Sequence, residues 1–196
     1  KGGSKDAGTG YISPVNIEVL DHNITYAYNY TLIVGSLKEI RDYVYKNNPS
    51  MQLPTWYFKN DRRHWTFENT TDAGWPIKDG LVVTLKKNAA MISPYTFWKA
   101  KEAPLLVVEA AYDGDIKKAK VYWRIFNEKF EEKNSMEFTI KSDGKMHQYL
   151  VPLYQSQNYK GALSGLKILL DAGHSAKDGD VADVEYIALR KETITK

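Results

Sequence analysis

The run Val121-Tyr122-Trp123-Arg124-Ile125-Phe126 is where residue types and spacing come nearest to doing chemistry. Side chains alternate across a strand, so Val121, Trp123 and Ile125 share one face while Tyr122, Arg124 and Phe126 share the other. One face must be core, and the face with Tyr122 and Arg124 is the better candidate for solvent. These two would stand about 7 Å apart along the strand. A ring that stacks, beside a guanidinium that bonds bidentately, suits a polyhydroxylated and sometimes acidic ligand such as a glycan. Tyr95, Trp98, Tyr112 and Asn127 are further candidates for the same surface, whereas Trp65, Trp75 and Trp123 read as core.

Motifs for catalysis are not found. The sequence has no G-x-S-x-G, H-E-x-x-H, Walker or dinucleotide pattern. His22, His64, His147 and His174 lie far apart without a shared ligand spacing, and there is no cysteine for thiolate chemistry, disulfides or Cys-based zinc. Paired carboxylates for glycoside hydrolysis are a three-dimensional property and stay open. Glu128, Glu131 and Glu132 interleave with Lys129 and Lys133 as a solvated loop, and Asp113-Gly114-Asp115 reads as a turn. Asp178, Asp180 and Asp183 crowd a turn ahead of Glu185, in a spacing that does not fit an EF-hand. Asn23-Ile24-Thr25, Asn29-Tyr30-Thr31 and Asn69-Thr70-Thr71 match the N-glycosylation acceptor, as short triplets often do by chance.

The elements that must position these residues are mostly strands. From Thr55 onward, nine short runs rich in Val, Ile, Tyr and Phe begin at Trp65–Glu68 and end at Val181–Leu189. Turn signals at Asp79-Gly80, Asp113-Gly114, Asp143-Gly144 and Asp178-Gly179 separate several of them. Helical crossovers are missing, so the pattern predicts an all-β antiparallel sandwich over 55–192 rather than a parallel α/β sheet. Residues 1–14, rich in Gly, Ser and Lys, read as a flexible tail. Residues 15–54 read as an N-terminal extension. In it Ile24 to Val34 alternates as a strand would, and Ser36 with Glu39 forms a capping box for one short helix. Asn47-Asn48-Pro49 stops that helix, which is expected to pack on an edge or end of the sandwich, and 49–54 reads as a hinge.

Read together, the strands resemble the galactose-binding-like jelly-roll modules of bacterial glycan-active and cell-surface proteins. The resemblance covers about two-thirds of the chain, from Trp65 to Arg190. It is carried by His64-Trp65-Thr66-Phe67-Glu68, Asp72-Ala73-Gly74-Trp75, Ala119 to Arg124, Asp143 to Tyr149, Tyr159-Lys160-Gly161 with Leu166-Lys167-Ile168, and Asp183 to Leu189. Two departures stand out: Tyr159 where related modules carry Trp, and Lys167 to Asp171 where they carry an Arg-containing, Pro-terminated strand. The resemblance implies that the first and last strands lie side by side. That would bring Glu68 to Asp183 and Glu185, as oxygen ligands for a structural Ca²⁺.

These residues predict a non-catalytic carbohydrate-binding module of a secreted, cell-surface or periplasmic protein. Its partners would be a glycan and a catalytic or surface domain of the same parent protein. Two other readings stay open: an accessory sandwich that braces a neighbour without a small ligand, and a polysaccharide lyase or glycoside hydrolase. The net charge of +3, from 27 Lys and Arg against 24 Asp and Glu, is too weak and dispersed for nucleic acid or an anionic membrane. No apolar run is long enough to span a bilayer, and Lys1 to Gly10 contains no apolar signal segment.

Overall fold

The computed structural model describes residues 17–20, 24–47 and 52–191. The tail, the acceptor residue Asn23, the Asn48-Pro49 stop and the first part of the expected hinge lie outside the described residues. Chain order is α1 (Leu37–Asn47), β1 (Thr55–Tyr57), β2 (Thr66–Glu68), β3 (Leu81–Thr84), β4 (Ala90–Ile92), β5 (Trp98–Lys99), β6 (Leu105–Asp113), β7 (Lys118–Ile125), β8 (Ser135–Thr139), β9 (Met146–Val151), β10 (Ala162–Leu169) and β11 (Val181–Arg190).

Two antiparallel sheets face each other. The first has the order β1-β11-β6-β9, with β3 also paired to β11; the second has the order β2-β4-β10-β7-β8, with β5 also paired to β10. This is an antiparallel jelly-roll β-sandwich, as the period-two runs predict. Alternation on β7 sends Ala119, Val121 and Trp123 inward, where they meet Leu106, Val108, Val184 and Ile187 from the other sheet in one core. Trp65 sits at its centre, with Trp56 and Phe58 edge-on at centroid distances of 5.1 and 5.9 Å. The turn at Asp143-Gly144, which carries the chain from β8 in the second sheet to β9 in the first, shows why those dipeptides mark turns. Gly144 has φ 69°, which a side chain would resist, and the Asp143 carboxylate accepts from the Lys145 N–H at 3.1 Å.

Helix α1 starts as its capping box predicts: the Ser36 N–H donates to Glu39 Oε2 at 2.7 Å and the Glu39 N–H donates to Ser36 Oγ at 3.4 Å. The expectation that it packs on the sandwich is corrected, because no residue of α1 is buried. The expected strand from Ile24 to Val34 is likewise extended chain without a ladder. Tyr26, Tyr28 and Tyr30 stack on one another at 6.3 Å instead. Two contacts tie the start of the extension to the sandwich: Arg62 Nη1 donates to the Val19 carbonyl at 2.7 Å, and His64 Nδ1 lies 2.9 Å from Glu18. No described helix is long and apolar enough to cross a membrane.

Candidate functional site

The candidate site lies on the outer face of the second sheet. On β7, Tyr122 and Arg124 point away from the core, as their alternation with Val121 and Trp123 predicts. A bulge in β10 between Leu163 and Gly165 then shapes the seat of Arg124. The extra residue, Ser164, offers its hydroxyl to Arg124 Nε at 3.3 Å and its carbonyl to Nη2 at 3.1 Å. Gly165, opposite Arg124 in the ladder, keeps the seat open: a Cβ there would lie 2.9 Å from Nη2. The guanidinium therefore lies against the sheet, with most of its five donors still unspent.

Aromatic rings surround it. The loop after β4 is pinned to β10, because the Ser93 N–H donates to the Leu166 carbonyl and the Leu166 N–H donates to Ser93 Oγ, both at 2.9 Å. That loop delivers Tyr95, whose ring centroid is 3.9 Å from the guanidinium carbon, while Phe130 from the loop after β7 is at 5.0 Å. Both are cation–π distances. Phe97 and Phe126 meet edge-on at 5.5 Å beside them. Tyr95, Phe97 and Phe126 are 69%, 57% and 47% exposed, so three large rings face water on the side of the sheet that carries the half-buried arginine. Isolated exposed apolar residues need no explanation, but a contiguous group of rings does.

The other expected residues fall elsewhere. Tyr122 is on the outer face of the second sheet but belongs to an ionic rim. Its hydroxyl donates to Glu132 at 2.9 Å, and Lys120 and Lys167 lie over its ring at 5.9 and 5.8 Å. Lys120 pairs with Glu132 at 2.7 Å and Glu137 at 3.3 Å, and Lys167 pairs with Glu68. Hydrogen bonds from Lys120 and Tyr122 hold the Glu132 carboxyl below its usual range. Asn127 is exposed with φ 64°, a turn position after β7.

Trp98 and Tyr112 are corrected, because both are buried. Trp98 faces inward from β5, and its Nε1–H donates to the Tyr159 hydroxyl at 2.9 Å. Tyr112 faces inward from β6, against Tyr149. Neither can stack on a ligand at the surface. Phe97 and Phe126 do reach the surface. Phe126 continues the outward series of Tyr122 and Arg124, and inward Trp98 forces its neighbours Phe97 and Lys99 outward. That alternation was the available signal.

The expected calcium set is not assembled. Glu68 lies on β2 of the second sheet, whereas Asp183 and Glu185 lie on β11 of the first, because β1 and β3, not β2, are the early strands beside β11. Glu68 is already engaged by Lys167, and the described residues contain no group of three or more side chains placed to hold a metal. Burial pushes the Asp183 carboxyl up, and burial with repulsion from Asp183, Glu109 and Asp79 pushes Glu185 up. Asp183 Oδ1 has no hydrogen-bond partner. A carboxyl raised on folding favours its protonated form in the native state, so ionisation costs stability as pH climbs through the ordinary and then the raised value. Asp183→Asn is therefore expected to raise the urea midpoint at pH 7, with a smaller gain at pH 4. A lower midpoint at pH 7 would contradict this electrostatic account.

No protein-family model matches the chain, and no curated protein matches it. Solved structures do resemble it. A glycoside hydrolase family 43 arabinoxylan arabinofuranohydrolase from Bacillus subtilis is 11% identical with a TM-score of 0.42, over 66% of this chain and 25% of the enzyme. A low-affinity xylan-binding module from Roseburia intestinalis is 9% identical with a TM-score of 0.44, over 72% of this chain and 96% of the module. A module from Clostridium stercorarium, solved with cellobiose, is 9% identical with a TM-score of 0.43, over 71% of this chain and 95% of its own.

Proposed function

We propose that the chain is a non-catalytic carbohydrate-binding module of a secreted or surface-exposed protein, and that it holds glycan against the outer face of the second sheet. One observation carries this reading: three exposed rings, Tyr95 on the guanidinium of Arg124 and the Phe97–Phe126 pair, share the outer face of the sheet on which that arginine is seated. Pyranose rings present apolar C–H faces that stack on aromatics, while their hydroxyls take hydrogen bonds from a fixed guanidinium. Arg124 is fixed by Ser164 and Tyr95 before any ligand arrives, which lowers the ordering cost of binding. Tethered to a catalytic domain, such a face would raise the local concentration of polymer.

A glycan array on the purified chain, followed by titration of the best ligand into Phe97→Ala and Phe126→Ala, tests the reading. Both variants should keep their fold and lose affinity. An array without ligands would sink it.

The bracing reading has its own support in the extension, where Val34, Leu37 and Tyr45 are exposed and bury nothing. It expects the array to stay blank and Leu37→Ser to weaken association with a neighbouring domain.

A further inference from the structure

A second concavity opens at the end of β5, with a volume of about 650 Å³. Lys99, Lys101, Lys160 and Lys191 line it, together with Tyr154 and the buried ring of Tyr159. Its lining contains no aspartate or glutamate. Lys99 reaches Glu102 at 3.4 Å, but Lys101, Lys160 and Lys191 make no ion pair with any described residue. The outer face behaves differently: there Lys118, Lys120 and Lys167 are each matched by a carboxylate. Unmatched lysines around one cleft repel one another and focus a positive potential into it, a cost that an anionic group would relieve.

The cleft is continuous with the aromatic platform. Lys99 follows Phe97 by two residues and so projects on the same side of β5. Ala162, which lines the cleft, lies opposite Lys99 and accepts from the Phe126 N–H at 3.0 Å. Its floor is rigid: the Tyr159 hydroxyl accepts from Trp98 and donates to the Ala103 carbonyl at 2.7 Å. A polymer crossing Phe97 and Phe126 would thus bring its next unit to the lysines.

We propose that this cleft is a subsite for the negatively charged substituent of an acidic glycan, a uronate carboxylate or a sulfate ester. The inference rests on the platform reading, and it names the class of polymer that the platform takes. The half-exposed Tyr154 supplies the stacking wall and the lysines neutralise the substituent.

The test is titration of polygalacturonate, a sulfated galactan, neutral xylan and a DNA duplex into three proteins: the parent chain, Lys101→Glu/Lys160→Glu and Phe97→Ala/Phe126→Ala. Both lysines are exposed, so an unchanged melting temperature is expected for the charge variant. One acidic glycan should bind the parent chain, lose at least tenfold in affinity in each double variant, and weaken with added salt. Which of the two binds identifies carboxylate or sulfate. Xylan preferred over both, with the charge variant unaffected, overturns the subsite and leaves the platform standing. DNA and both acidic glycans bound alike, lost with the lysines but not with the phenylalanines, overturns the subsite as a mere polyanion patch. No binding of any polymer overturns both readings.

Discussion

Asp72→Ala is expected to lower the free energy of unfolding by about 3–5 kcal/mol, because it removes one member of a buried, doubly hydrogen-bonded ion pair. The Arg62 and Asp72 side chains are each 1% exposed and paired fork to fork, with Nε to Oδ2 at 2.7 Å and Nη2 to Oδ1 at 2.8 Å. The guanidinium also lies 5.4 Å from the Trp75 ring centroid. Asp72 holds the next turn as well, since its Oδ1 accepts from the Gly74 N–H at 3.1 Å. Burying two charges is costly, so the pair as a whole contributes much less than the loss of one member removes. Arg62→Met/Asp72→Leu should accordingly be far more stable than Asp72→Ala alone. Urea denaturation of the three proteins checks this, and a loss below about 1 kcal/mol for Asp72→Ala would show that the arginine is rehydrated. The same guanidinium bonds the Val19 carbonyl, so Asp72→Ala should also loosen the start of the extension.

Trp123→Ala should cost about as much, roughly 3–5 kcal/mol, by leaving a large cavity at the middle of β7. Trp123 is fully buried, meets Tyr159 edge-on at 5.3 Å, and donates from Nε1 to the Asn158 carbonyl at 3.3 Å. Its chain neighbours Tyr122 and Arg124 face outward, so residues of opposite consequence alternate along a single strand. A Trp123→Ala protein that loses glycan binding has lost its fold. Its melting temperature must fall with its affinity, which makes it the control for every surface variant.

The sandwich was legible because its signals are local. Alternation at Val121–Phe126 and the Asp-Gly turns depend on neighbours in sequence, and so does the capping box at Ser36 and Glu39. What was not legible depends on partners far along the chain. Ile24 to Val34 alternates like a strand but pairs with no strand among the described residues, and periodicity cannot report a missing partner. Placing Glu68 beside β11 required knowing which early strands pair there, and β1 at Thr55–Tyr57 and β3 at Leu81–Thr84 take those positions. At the site, Arg124 was readable from the parity of β7. The bulge at Ser164 and the Cβ-free seat at Gly165 that hold its guanidinium were not, since no local pattern marks them. Residue type misled at Trp98 and Tyr112: a large ring suits a sugar and a core equally, and parity decides between them.

The most direct test of the central claim is calorimetric titration of the array-selected glycan into Tyr95→Ala and Arg124→Lys. Tyr95 is mostly exposed, so its removal should change stability by only about 0.5 kcal/mol. Arg124→Lys keeps the charge but gives up the planar fork that Ser164 and Tyr95 hold in place. Each variant should melt near the parent temperature and lose tenfold or more in affinity, about 1.4 kcal/mol per decade. Parent-like affinity in both, with both folded, would mean that the outer face of the second sheet is not where the glycan binds.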